Sequence, residues 1–441
     1  MMNCQSEKLK GLRIAFHTLG CKVNQYETEV MENESVCAGA VIVPFTDEAD
    51  IYVVNTCTVT NIADRKSRQM LHRARKLAPE AVIVAAGCYT ETGDQAALYA
   101  SGVDLVLGNE RKKDFVETLS AFLQDKKLPD NPDINKVQGY RPEFLTKVHE
   151  HTRAELKVQD GCNEFCSYCL IPYARGRIRS KAPEAVLEEI RALASSGIRE
   201  FVLTGIHLSS YGKDLPEGED LLSLIRAAAA VPGVERLRLG SLEPRVVTET
   251  FARELSKIPE ICPHFHLSLQ SGSASVLRRM NRKYTPDEYR ESLRLLREAF
   301  DHPAITTDVI VGFPQETEEE FRESLEFVRE AAFYELHVFQ YSRRKGTAAD
   351  RMSGQVPDEI KKKRSAEMIA LGEEMSEAYR REALGRMAEA LTEEPDPEHP
   401  GFYQGYTREY IRVLSEADEA GRIVRGRLKL LDGSYVIDPE K

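Results

Sequence analysis

No stretch of this 441-residue chain approaches the ~20 consecutive apolar residues that a membrane-spanning helix needs. The first apolar stretch, Leu12 to Phe16, is short and broken by Arg13. No small-residue cleavage site follows it, so no secretory signal is expected. These absences place the protein in the cytoplasm, away from any membrane. There is no solenoid repeat and no low-complexity tract. An excess of positive charge is missing too. The formal net charge of -11 argues against a whole-chain basic footprint for nucleic acid, although a local basic surface can coexist with it.

Cysteine, by contrast, is plentiful. Nine cysteines in a chain expected in a reducing compartment point to metal binding or catalysis rather than to disulfides. At roughly 150 residues per domain, the length allows about three domains. The first segment, 9–124, alternates apolar strands (Arg13–Thr18, Ile51–Asn55, Ala81–Ala86, Val103–Leu107) with helix-period stretches such as Asn61–Lys76. That pattern predicts an open α/β sheet. A linker, 125–147, contains Leu128-Pro129-Asp130-Asn131-Pro132 and has no periodicity.

The next segment, 148–375, holds repeated strand-then-helix units. Its strands are Glu155–Gln159, Glu200–Thr204, Arg236–Gly240, His264–Leu269, Ala304–Val311 and Glu335–Tyr341. Helical patterns lie at Pro183–Ser196, Pro286–Phe300 and Glu318–Ala331. Such units form a parallel sheet that curves into a partial (β/α)6 barrel. A charged helix follows over Pro357–Ala383. The last segment, 376–441, turns to short strands at Met387–Thr392, Tyr410–Val413, Ile423–Leu430 and Tyr435–Ile437, the pattern of a small β-barrel. The fold class is α/β throughout, closed by that barrel.

Cys162, Cys166 and Cys169 form C-x3-C-x2-C directly after the first strand of the expected partial barrel. Parallel barrels carry their chemistry on loops at the strand C-terminal ends. Three thiolates this close can grip three irons of a [4Fe-4S] cluster, leaving the fourth iron open. Zinc is the alternative, but it wants four protein ligands, and no His or Cys follows Cys169 at finger-like spacing. The other strand ends carry Thr204 and Gly205, Glu243, Gln270 and Ser271, Gly312 and Glu316, and Arg343-Arg344-Lys345. Glycine there lets backbone approach a ligand, and polar groups can bind ribose or carboxylate. Together with Tyr168, the residues Thr204, Gly205, Gln270, Ser271, Gly312 and Glu316 are the candidate cofactor contacts. Thr317-x-x-Glu320 also reads as a plain capping box.

Cys21, Cys57 and Cys88 each lie just beyond a strand of the first segment. Open α/β sheets bind ligands outside those ends, so three thiols far apart in sequence can converge on a second cluster. Scattered core cysteines are the alternative. Cys4, Cys37 and Cys262 have no partner pattern and read as ordinary packing.

At this point the sequence resembles the methylthiotransferases among radical S-adenosylmethionine (SAM) enzymes, over nearly the whole chain. That family joins an N-terminal α/β domain, a radical SAM partial barrel and a C-terminal TRAM β-barrel. By position, Cys21, Cys57 and Cys88 match its auxiliary-cluster ligands, and Cys162, Cys166 and Cys169 its radical-cluster ligands. Leu267–Ser273 and Asp308–Pro314 also look like the family's. Gly20–Thr28 and Asn55–Thr60 look most like the branch acting on N6-threonylcarbamoyladenosine in tRNA.

The resemblance implies two [4Fe-4S] clusters, SAM as methyl donor and radical source, and methylthiolation at carbon 2 of the adenine at tRNA position 37. It also implies a tRNA anticodon loop as partner and a reductant of flavodoxin or ferredoxin type. The sulfur donor is left open. Isopentenyladenosine tRNA and a ribosomal-protein aspartate are alternative substrates. A non-catalytic zinc-containing RNA-binding protein is the alternative of another class.

RNA recognition uses splayed bases and phosphate contacts. Candidate RNA contacts are Arg175, Arg177 and Arg179 after the cluster loop, and Arg65, Lys66, Arg68, Arg73, Arg75 and Lys76 on a first-segment helix. Arg425, Arg427 and Lys429 join them, alternating along one strand face. Arg344 is the candidate partner for the threonylcarbamoyl carboxylate, since a guanidinium pairs with it bidentately.

Overall fold

The computed structural model describes residues 7–93, 95–148 and 152–439. Five parallel strands open the chain: β1 (Arg13–Thr18), β2 (Val41–Val43), β3 (Ile51–Thr56), β4 (Val82–Gly87) and β5 (Leu105–Leu107). Their order is β2-β1-β3-β4-β5. β3 is buried along its whole length because helices cover both faces of the sheet. On one face, Met31 from the helix Lys22–Cys37 and Phe115 and Leu119 from the helix Phe115–Asp125 pack on Ile14, Val53 and Val84. On the other, Leu71 and Ala74 of the helix Asn61–Leu77 meet Tyr52 and Val54. That helix starts where Thr60 accepts from the Ala63 amide, and its last turn carries Arg75 and Lys76.

The middle of the chain supplies β6 (Arg153–Asp160), β7 (Arg179–Ser180), β8 (Glu200–Gly205), β9 (Arg236–Leu239), β10 (His264–His266), β11 (Ala304–Val311) and β12 (Glu335–Gln340). β7-β6-β8-β9 form one sheet and β10-β11-β12 another. Single parallel bridges, Leu237 to Ile261 and Leu242 to Leu267, join the two across β9 and β10. Apart from the two-residue β7, which runs antiparallel beside β6, the strands are parallel and curve into the expected partial barrel. Thr285 and Thr317 each close a capping box, with Glu288 and Glu320, at the start of an outer helix. The barrel core also takes in Tyr26 and Val30, so the helix Lys22–Cys37 belongs to two cores at once.

After the long helix Asp358–Glu382 come β13 (Met387–Pro395), β14 (Phe402–Thr407), β15 (Arg412–Glu416), β16 (Ile423–Leu431) and β17 (Ser434–Pro439). They close a barrel in the order β13-β14-β15-β17-β16 around Ala390, Val413, Leu428 and Ile437. Buried arginines of β9 fasten it to the partial barrel. Arg238 donates to the carbonyls of Thr407 and Arg408 at 2.6 and 2.7 Å, and Glu200 balances its charge at 2.7 Å.

Among the described residues, no helix is long and apolar enough to cross a membrane. Cys262 is buried and free, as ordinary packing predicts. Cys37 departs from that reading because it is disulfide-bonded, and spacing alone does not reveal pairing. Cys4 lies outside the described residues.

Candidate active site

Three adjacent strands of the first sheet end level with one another. Thr18 of β1 pairs with Asn55 of β3, and Thr56 of β3 with Gly87 of β4. Cys21, Cys57 and Cys88 follow those ends and converge. The turn before Cys21 lies directly on Cys57, since a Cβ on Gly20 would sit 2.9 Å from the Cys57 sulfur. Burial pushes the Cys57 thiol up to about 12, with Cys88 and Cys21 adding to the rise. Cys57 and Cys88 are buried, whereas Cys21 is exposed toward a cavity. The Cys88 sulfur accepts a hydrogen bond from Arg175 Nε at 3.2 Å.

The second trio sits on the loop after β6. Gly161 allows that loop to form. Its φ is +71°, and an added Cβ would lie 1.8 Å from the Arg177 carbonyl oxygen. Gly161→Ala is therefore expected to cost roughly 1–3 kcal/mol through left-handed strain and overpacking. A urea titration against wild type would read that loss as a lower midpoint. Each sulfur of this trio faces an N–H. Cys162 accepts from the Glu164 amide at 3.5 Å, Cys169 from the Ile171 amide at 3.4 Å, and Cys166 from Arg282 Nη1 at 3.3 Å. Burial pushes Cys162 up to about 11 and Cys169 up to about 12.

Either trio could hold an iron–sulfur cluster. Buried thiols that resist ionising on their own become thiolates when a metal supplies positive charge, and N–H groups aimed at sulfur suit that form. Neither trio has a fourth cysteine among the described residues, so each would leave one iron open.

One cavity of about 780 Å³ connects the two. Its wall includes Cys21, Cys162, Cys166 and Cys169, and it runs on into the partial barrel past Arg238, His264, His266 and His337. The volume suits a nucleoside or cofactor. Of the cofactor contacts read from the sequence, Tyr168, Thr204, Gly205 and Gln270 line this cavity. Gln270 does so with a positive φ of 68°, which is uncommon outside glycine. Ser271, Gly312 and Glu316 do not line it, which corrects the sequence reading. Ser271 is buried and accepts from the Ser273 amide. Glu316 turns back to accept from the Gly312 amide at 2.7 Å and pairs with Arg364 at 2.8 Å, so both are spent on the strand-to-helix turn.

The sequence reading assigned no role to His207, and quoted Glu243 without making it a contact. His207 Nε2 meets Glu243 at 3.1 Å on the cavity wall. Burial works against the Glu243 carboxylate, but hydrogen bonds from His207 and Arg245 hold it down to about 2.

Three of the basic residues are corrected as well; one, Arg179, is buried and stands 3.3 Å from Asp160. Arg175 is not a surface contact for RNA. It is fully buried, where its guanidinium pairs with Glu27 at 2.6 Å, donates to Asn24 at 2.5 Å and lies 3.4 Å from Asp160. Glu27 also binds Lys157 at 2.6 Å and Lys112. Burial opposes ionisation of Glu27, but Arg175, Lys112 and Lys157 hold its carboxyl well below the usual range. Arg344 likewise has no free fork for a substrate carboxylate. It is buried, pairs with Asp64 at 2.8 Å and donates to Asn61 and Thr58 at 2.6 and 2.7 Å.

Arg177 stays exposed, over the Phe165 ring at 4.6 Å. Arg425, Arg427 and Lys429 share the exposed face of β16, where Arg425 meets Glu389 at 2.9 Å and Lys429 meets Asp438. On the helix Asn61–Leu77, Arg75 is spent on Asp104 and the Gly102 carbonyl.

Residues 156–328 match the radical SAM superfamily, and residues 13–108 match a family described as Uncharacterized protein family UPF0004. The threonylcarbamoyladenosine tRNA methylthiotransferase MtaB of Bacillus subtilis (strain 168) is 40% identical over 96% of this chain and 94% of its own length. The protein of the same name from Aquifex aeolicus (strain VF5) is 37% identical over 94% and 99%. The tRNA-2-methylthio-N(6)-dimethylallyladenosine synthase of Caldicellulosiruptor saccharolyticus is 35% identical over 88% and 84%. Among solved structures, the radical S-adenosylmethionine methyltransferase TsrM of Kitasatospora setae, with cobalamin and a [4Fe-4S] cluster bound, superposes with a TM-score of 0.58. It is 16% identical over 76% of each chain, a likeness of fold.

Proposed function

The chain belongs to the methylthiotransferase family of radical SAM enzymes, and on that premise we propose that it methylthiolates carbon 2 of N6-threonylcarbamoyladenosine at position 37 of tRNA. The observation that carries this reading is the single cavity lined by Cys162, Cys166 and Cys169 and, from the other trio, by Cys21. Cys162, Cys166 and Cys169 would hold the cluster that binds SAM, and Cys21, Cys57 and Cys88 the auxiliary one. The first cluster, when bound, supplies the electron that cleaves SAM, a radical route to a C–H bond not acidic enough for a base.

The chain's own residues do the rest. Thr204, Gly205, Gln270 and Tyr168, with Glu243 behind His207, offer the polar wall for SAM. Cys21, the exposed member of its trio, faces the gap where the base must lie. A base reaches such a gap only when flipped from its stack. Arg177 and the β16 face of Arg425, Arg427 and Lys429 would steer the RNA backbone. A cytoplasmic location and a flavodoxin- or ferredoxin-type reductant complete the reading.

The test is nucleoside mass spectrometry of tRNA from cells with and without the gene. Loss of methylthio-threonylcarbamoyladenosine, with a rise in its precursor, is the expected result. A fall in methylthio-isopentenyladenosine instead would move the enzyme to the other tRNA branch. No change in any tRNA nucleoside would overturn the tRNA assignment and direct the assay to ribosomal protein.

A further inference from the structure

The threonylcarbamoyl group carries a carboxylate, and a carboxylate taken out of water needs a cation or fixed donors. Three long cations line the cavity: Lys22, Arg238 and Arg282. Arg282 is committed to the Cys166 sulfur and to Tyr284 Oη at 3.0 Å. Arg238 is committed to Glu200 and to two carbonyls of the small barrel. Lys22 differs. Its side chain keeps 47% of its surface exposed, although burial of the remainder lowers its pKa from the ordinary lysine value, and its nearest acid, Glu155, stands 3.7 Å away, beyond hydrogen-bond distance.

Two of the histidines on the same wall, His264 and His266, serve less well. Burial, and then Arg238, hold His264 well below its ordinary pKa, so it is neutral there. His266 is engaged by Thr306 at 2.9 Å and lies 3.4 Å from Asp308. Lys22 also directly follows Cys21 in the chain, and its side chain runs along the cavity wall toward Glu155 of β6.

We propose that Lys22 binds the carboxylate of the threonylcarbamoyl group and sets the enzyme's preference for that nucleoside over an uncharged one. The inference rests on the function proposed above. When the substrate enters, the ammonium exchanges a loose contact with Glu155 for a close one with the substrate carboxylate. Glu155 keeps the ammonium directed along the wall in the meantime. An isopentenyl group offers no charge to this site.

The experiment measures binding, so it does not depend on turnover. Anticodon stem-loop RNA carrying threonylcarbamoyladenosine is compared with the same RNA whose carboxylate is a methyl ester. Kd comes from fluorescence anisotropy on cluster-loaded protein. Wild type is expected to prefer the acid by on the order of tenfold to a hundredfold. Lys22→Met is expected to bind both RNAs at the weaker value, and Lys22→Arg to regain the preference. Iron content and absorbance near 400 nm report whether each variant keeps its clusters. If Lys22→Met loses iron, the Lys22→Arg preference alone decides. A Lys22→Met protein that keeps both its iron and the wild-type preference would overturn the role of Lys22 while leaving the proposed function intact. A wild type indifferent to the ester would overturn this inference, while the substrate itself would still be decided by the nucleoside analysis above.

Discussion

Protein carrying Cys57→Ala is expected to cleave SAM at close to the wild-type rate and to release no methylthiolated nucleoside, whereas Cys166→Ala is expected to do neither. The reason lies in how separately the two trios are held. Cys57 follows β3 of the open sheet and touches the turn at Gly20. Cys166 sits on the loop after β6, backed by Arg282 from 116 residues away. Removing the Cys57 sulfur leaves Gly161, Arg282 and the amides facing Cys162 and Cys169 untouched. Chromatography of 5′-deoxyadenosine and mass spectrometry of the modified nucleoside read the two activities apart. Normal product from Cys57→Ala would remove the auxiliary trio from the chemistry. Continued 5′-deoxyadenosine formation by Cys166→Ala would remove the other trio from the radical step.

The second large effect concerns Arg175. Arg175→Met leaves Glu27 and Asp160 buried with one cation fewer between them, and it strips Cys88 of its closest donor. Breaking a buried ion pair from one side typically costs about 3–5 kcal/mol. The expected outcome is a clearly lower urea midpoint together with incomplete iron loading of the auxiliary site. Arg175→Lys keeps the charge but not the planar fork that serves Glu27, Asn24 and the sulfur at once, so it should recover only part of either loss. An unchanged midpoint in Arg175→Met would mean that Lys112 and Lys157 suffice for Glu27 alone.

Legibility in the sequence followed range of contact. β1, β3, β4 and the longer barrel strands are continuous apolar or alternating runs, so their period gives them away. β2 and β7 escaped because two or three residues at a sheet edge carry no period. β14 escaped because Phe402–Thr407 mixes tyrosine, glutamine and glycine at half-buried positions. The cysteines were legible because strand ends mark where parallel sheets gather ligands.

Arg175 was misread for a different reason. With Arg177 and Arg179 it reads as a basic stripe, and the acid that buries it, Glu27, lies 148 residues back. Arg344 is similar, with its hydroxyl partner Thr58 lying 286 residues away. Charge pairing across two folded units leaves no local pattern. Lys22 lay inside a quoted motif, but its exposure toward the cavity appears only once the cavity exists.

The helix Lys22–Cys37, with Cys21 at its start and Tyr26 and Val30 in the neighbouring core, fixes a distance as well as a fold. Together with Glu27, Lys157 and Arg175 it makes the gap between the two trios a constant of the molecule. Swinging one unit away to reload would mean exposing a charged core. The stages of turnover must therefore follow one another as an exchange of occupants in a room whose walls stay still. SAM at one trio and the flipped base beside the other must then fit in that room together, at a spacing the fold has already set.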